Sequence, residues 1–198
     1  MVLFFDGANY TKSNNDPLHA FFSQISELPP LLRNSTRNII TNSLWTGSTP
    51  DFNLFLSRYN NQLDRLLVNG ILIEDLNIKI NVKCHVFIAD APERALVLNM
   101  NKFNGKFGCI MCVQEGENVN KGSRGNNFKY PYKPFEMFKR TEKLYAEQVH
   151  NSQTLQTTVN VIKGATYMSN WLTLPTYCII EIDNDTYLSY CVDNEEHD

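Results

Sequence analysis

The sequence predicts an α/β domain built on a mixed sheet, with its elements in the order β-β-β-α-β-α. Three stretches carry this prediction. Val2–Phe5 is a short unbroken apolar run, the pattern of a strand covered on both faces. From Ile78 to Ile88 every second residue is apolar (Ile78, Ile80, Val82, Cys84, Val86, Ile88), the period of a strand with one buried face. Between the two, Phe52, Phe55, Tyr59, Leu63, Leu66 and Leu67 recur at helical spacing.

The first strand runs directly into Asp6-Gly7. That pair either opens a turn or holds a carboxylate on a central strand, where its charge needs a cation or hydrogen bonds to compensate. His19–Ile25 is the second strand, ended by Leu28-Pro29-Pro30, and Asn38–Trp45 the third, ended by Gly47-Ser48. The helix that follows has Thr49 as its cap, Pro50 in its first position, Asp51 favouring the dipole and Asn69-Gly70 as its stop. The strand Ile78–Ile88 then delivers Asp90 to the start of a second helix, whose first turn is Ala91-Pro92-Glu93. Asp90 reads either as an N-cap or as a functional carboxylate at a strand-to-helix junction. An acid on the first strand and another after the fourth, in this element order, is the RNase H-like arrangement. There the two strands lie side by side and their acids share a divalent cation, suited to phosphoryl chemistry.

A chain of 198 residues is about one domain's worth, and 42% hydrophobic with 20% charged residues is ordinary for a globular protein. The start, MVLFFDGANY, has no basic flank and too short an apolar run for a signal peptide, and no stretch is long enough for a membrane helix. Five cysteines without a regular framework fit a reducing compartment, nuclear or cytoplasmic. The net charge of −3 hides a polarised chain: Lys121, Arg124, Lys129, Lys133, Lys139, Arg140 and Lys143 cluster, whereas residues 181–198 carry acids and no Lys or Arg. The basic residues interleave with Phe128, Tyr130, Tyr132, Phe135 and Phe138. They form either a DNA surface with phosphate contacts and stacking, or a solvated loop running into a helix from about Pro134 to His150 with Phe138, Tyr145 and Val149 in its core face. Cys109 and Cys112, flanked by Gly105 and Gly108, are either half of a zinc site or a pair of buried thiols. Residues 177–192 read as two β-rich runs joined by Asp183-Asn184-Asp185-Thr186, a hairpin turn. The expected organisation is a core at 1–113, a basic polar loop at 114–133, a helix plus hairpin at 134–192 and an acidic tail at 193–198.

Residues 86–116, VFIADAPERALVLNMNKFNGKFGCIMCVQEG, resemble the central block of CACTA-type transposases and their transposon-derived relatives. That block runs Asp-x-Pro-x-Arg-Ala and then Phe-Asn-Gly-Lys-Tyr-Gly-Cys-x-x-Cys. The segments FFDGANY, SELPPLLR, NSLWTG, YPYKP and VIKGATYMSNWLTLP extend the likeness over most of the chain. The resemblance implies an RNase H-like transposase acting on DNA in the nucleus with Mg²⁺ or Mn²⁺. It makes Asp6 the first catalytic acid and Asp90 the second, both metal ligands, and Cys109 and Cys112 the paired cysteines, for which Zn²⁺ or buried thiols remain the two readings. The departures lie at the end. Cys191 and Val192 align with a later family motif, but Tyr190 replaces its histidine, and no acid here occupies the third catalytic position.

The expected function is therefore a transposase-derived domain, catalytically incomplete, that binds DNA through Lys121, Arg124, Lys129, Lys133, Lys139 and Arg140 and a divalent cation through Asp6 and Asp90. Two other readings are an active nuclease completed by Glu181 or Asp183, and a non-catalytic interaction module with the acidic tail facing its partner.

Overall fold

In a computed structural model, which describes residues 1–9, 17–102, 104–120, 126–130, 138–176 and 178–180, the chain folds as β1 (Val2–Asn9), β2 (Pro17–Gln24), α1 (Pro30–Arg33), β3 (Ile40–Thr46) and α2 (Phe52–Asn69). There follow β4 (Ile71–Ile73), β5 (Ile78–Ile80), β6 (Val86–Ala89), α3 (Ala91–Val97), β7 (Glu117–Asn120), β8 (Asn126–Lys129), α4 (Glu142–Leu155) and β9 (Cys178–Ile180). The class is mixed α/β. The main sheet is itself mixed, in the order β3-β2-β1-β6-β9. β1 pairs antiparallel with β2, from Val2 opposite Gln24 to Asn9 opposite Pro17. It pairs parallel with β6, from Val2 beside Val86 to Phe5 beside Ala89, and β6 in turn pairs parallel with β9.

Alternation along β1 buries Leu3 and Phe5 on one face. α2 covers that face with the predicted stripe. The Phe5 ring lies 5.3 Å from Phe52 and 5.7 Å from Phe55, and Tyr59 meets Phe21 edge-on at 4.9 Å. The helix is capped by Asp51, whose Oδ1 accepts from Leu54 N at 3.3 Å, two residues later than the expected Thr49. It stops at Gly70, which adopts φ 70° and whose N donates to Leu66 O. A Cβ there would meet Ile80 O at 2.5 Å, so glycine is required.

The long strand expected over Ile78–Ile88 is split. Ile78–Ile80 pairs with the neighbouring Ile71–Ile73 as a separate ribbon, leaving Ile78 and Ile80 about half exposed. Only Val86–Ala89 enters the main sheet. The local partner closes a much shorter loop than the sheet does. The Met1 amine on Lys83 O (2.7 Å) and His85 N on Met1 O (2.8 Å) align the chain with β1 just before residue 86.

In the expected polar loop, β7 and β8 form an antiparallel pair from Glu117–Lys129 to Asn120–Asn126. The helix predicted from Pro134 begins at Glu142 instead, after Thr141, whose hydroxyl accepts from Leu144 N. Phe138 precedes it and is 73% exposed, not core, whereas Tyr145 is buried. One apolar cluster joins Leu3, Phe5, Phe21, Phe55 and Phe87 to Tyr145, Val161, Ile162, Met168 and Trp171. The segments expected as core (1–113) and as helix plus hairpin (134–192) are thus packed together, with Trp171 meeting Tyr59 edge-on at 5.6 Å and donating to Asp64 Oδ1 at 2.9 Å. Among the described residues no helix is long and apolar enough to cross a membrane. The Asp183–Thr186 turn, Glu181, Tyr190, Cys191 and the 193–198 tail lie outside the described residues.

Candidate carboxylate site and the Cys-x-x-Cys loop

β6 ends beside the middle of β1. Their last registered pair is Phe5 with Ala89, and each chain continues with an aspartate, Asp6 and Asp90. Phe5 and Ala89 are buried, so strand alternation turns the Asp6 side chain toward the other face of β1. Asp6 is exposed and Asp90 half-buried. Asp90 is also the N-cap of α3: its Oδ1 accepts from Glu93 N at 2.8 Å, which leaves the second oxygen for another partner.

Beneath this pair lies a group that the sequence does not announce. Glu93, which the sequence places in the first turn of this helix, is 8% exposed and reaches back against Gly7. Its Oε2 lies 3.3 Å from Nδ1 of His19, 4% exposed, which sits opposite Gly7 on β2. The approach brings the two side chains together without hydrogen-bond geometry, and among the described residues both His19 ring nitrogens and Glu93 Oε2 lack a hydrogen bond. Burial holds the Glu93 carboxyl above the usual carboxylate range; His19 opposes this, while the charges of Asp90 and Asp6 add to it. A Cβ at position 7 would stand 2.4 Å from Glu93 Oε1 and 3.1 Å from His19 Nδ1. The glycine of Asp6-Gly7 is therefore a place made for Glu93 rather than a turn signal. Gly7→Ala displaces the Glu93 carboxyl and lowers stability by about 1–3 kcal/mol in urea denaturation.

The raised Glu93 value also sets a pH dependence. The folded state holds this proton more tightly than the unfolded chain. Its favourable contribution is thus complete below the ordinary carboxyl value of 4.5 and is lost as pH rises through the folded value. Glu93→Gln removes that loss. In metal-free buffer, the stability of the variant relative to the wild type rises from acidic to neutral pH, read from urea midpoints at each pH.

Cys109 and Cys112 stand 3.4 Å apart in the loop between α3 and β7. Arg140 holds this loop from beneath. It is 3% exposed, and it donates from Nε to Ile110 O (2.9 Å) and from Nη2 to Cys112 O (3.0 Å) and Cys109 O (3.2 Å). Its Nη1 donates to Gln148 Oε1 on α4. Tyr130 secures the flanking glycines, its hydroxyl donating to Gly105 O and accepting from Gly108 N. Among the described residues no group of three or more His, Cys, Asp or Glu side chains is arranged to hold a metal. Cys109 and Cys112 supply two of the four ligands that a structural zinc site takes.

Of the six residues expected to meet DNA, Lys129 and Lys139 are exposed, and Lys121, Arg124 and Lys133 lie outside the described residues. Arg140 is a correction. Its guanidinium is buried on the Cys-x-x-Cys carbonyls, which needed a charged donor able to span several acceptors, and it does not face solvent. Comparison of the chain with protein-family models, curated proteins and solved structures gives no match.

Proposed function

We propose that this chain is a transposase-derived domain on an RNase H-like core, in which Asp6 and Asp90 hold Mg²⁺ or Mn²⁺ without the third acid that strand transfer requires, and that its partner is DNA. The observation that supports this reading is the parallel pairing of β1 with β6, which ends at Phe5 and Ala89 and is followed on each strand by an aspartate. The sheet order β3-β2-β1-β6-β9 is compatible with it. Two carboxylates suit Mg²⁺, which keeps several of its waters and is often held by one or two protein carboxylates. Asp6 is exposed, and Asp90 has the oxygen that its N-cap bond leaves over. A bound ion there would polarise a phosphoryl oxygen of the DNA backbone. Glu93, buried nearby, holds its proton more readily than an exposed acid does.

The test is Mn²⁺ binding followed by electron paramagnetic resonance, alongside incubation with duplex DNA. The wild type binds Mn²⁺, Asp6→Asn and Asp90→Asn each weaken binding by about 10-fold or more, and no strand is cut. Cutting that Asp90→Ala abolishes would overturn the incomplete-catalyst part of the reading, and no Mn²⁺ binding by the wild type would overturn the site. For the partner, Lys129→Glu lowers duplex affinity, and the slope of log K against log salt shrinks by about 1 for each phosphate that the variant no longer neutralises. Binding that is insensitive to salt would count against DNA.

A further inference from the structure

We propose that Cys109 and Cys112 are a redox-active dithiol that closes reversibly to an intrachain disulfide by exchange with small disulfides such as oxidised glutathione. The two residues stand 3.4 Å apart in a loop whose backbone is already held in place. Arg140 binds the carbonyls of Cys109, Ile110 and Cys112, while its own N donates to Met111 O at 2.7 Å and Val113 N donates to Phe138 O at 3.1 Å. Closure therefore asks for movement of the side chains rather than of the loop.

The two cysteines differ in the way an exchange reaction needs. Cys109 is half-exposed and can be reached by a small disulfide, whereas Cys112 is 4% exposed and can be reached from within the chain. The guanidinium of Arg140, seated on the carbonyls of both residues, places a positive charge beneath the loop that carries them. Cys84 stands in a different environment. Burial pushes its thiol up to about 11 despite the charge of the Met1 amine, which leaves it unreactive near neutral pH.

The exchange balances without any further reactant. The Cys109 thiolate attacks one sulfur of the small disulfide, whose S–S bond breaks and releases one thiol, leaving a mixed disulfide on Cys109. Cys112 gives up its proton and attacks the Cys109 sulfur, releasing the second thiol. The dithiol is oxidised by two electrons and the small disulfide is reduced to two thiols. Dithiothreitol reverses the sequence.

The experiment equilibrates the full chain in glutathione buffers of increasing oxidised fraction, traps thiols by alkylation and maps peptides by mass spectrometry. The expected result is one peptide carrying Cys109 and Cys112, lighter by two hydrogens and restored by dithiothreitol, while Cys84 stays reduced. In Cys112→Ser a glutathione adduct accumulates on Cys109. In Cys109→Ser, Cys112 reacts at least about 10-fold more slowly than Cys109 does in the other variant. Three outcomes would overturn the proposal: both thiols remaining reduced in the most oxidising buffer, a wild-type adduct on Cys109 that Cys112 does not resolve, or one zinc per chain that blocks oxidation until a chelator removes it.

Discussion

Phe5→Ala destabilises the folded chain by about 3–5 kcal/mol, the range for emptying a large aromatic site in a core. Phe5 is 1% exposed at the point where β1, β2 and α2 meet. Its ring lies 5.3 Å from Phe52, 5.7 Å from Phe55, 6.1 Å from His19 and 6.4 Å from Phe21. These rings come from separate, stiff elements, so they cannot close over the space that alanine leaves. The same residue sets the level of Asp6, since Phe5 and Ala89 are the last registered pair of β1 and β6. Phe5→Leu, which keeps much of the volume, loses markedly less. Urea denaturation followed by tryptophan fluorescence measures both. A loss under about 1 kcal/mol for the alanine variant would mean that α2 does not pack on this face of the sheet.

Arg140→Ala is expected to lose about 3–5 kcal/mol in the same assay. It removes the donor from the carbonyls of Cys109, Ile110 and Cys112 and from Gln148, and each buried acceptor left without a partner costs about 1–3 kcal/mol. Water reaching the half-exposed Cys109 offsets part of the sum. Arg140→Lys recovers only a fraction, because a compact ammonium cannot span acceptors that a planar guanidinium meets together. A surface role and a buried role for this residue predict opposite results. A DNA-facing arginine changes stability by less than about 0.5 kcal/mol when substituted and weakens duplex binding. A buried clamp does the reverse, and its removal loosens the loop that brings the two cysteines together.

The contrast between Arg140 and Lys129 shows where sequence reading stops. Both fall in one basic, aromatic stretch, and charge patterning treats them alike. Lys129 ends exposed on strand β8, whereas Arg140 is drawn under a loop about 30 residues earlier in the chain. Glu93 behaves in the same way. Its position in the first turn of α3 follows from Asp90-Ala91-Pro92, but its burial depends on Gly7 and His19, two strands distant in sequence. The Ile78–Ile88 run errs in the other direction: its alternation is a true strand signal, yet its first three residues pair locally and leave Ile78 and Ile80 half exposed.

From the amino acids alone came the elements whose cause is local: β1 from its apolar run, α2 from its stripe and its Gly70 stop, and Asp90 as a cap because its own oxygen meets an N–H three residues on. The neighbourhood of Asp6 and Asp90, the pocket that receives Glu93 and the arginine beneath the Cys-x-x-Cys loop were decided by tertiary structure. The physical reason is range. Backbone geometry and side-chain period act over a few residues and are written in consecutive letters. The desolvation of a charge and the donor that compensates for it depend on groups that become neighbours once distant segments have packed.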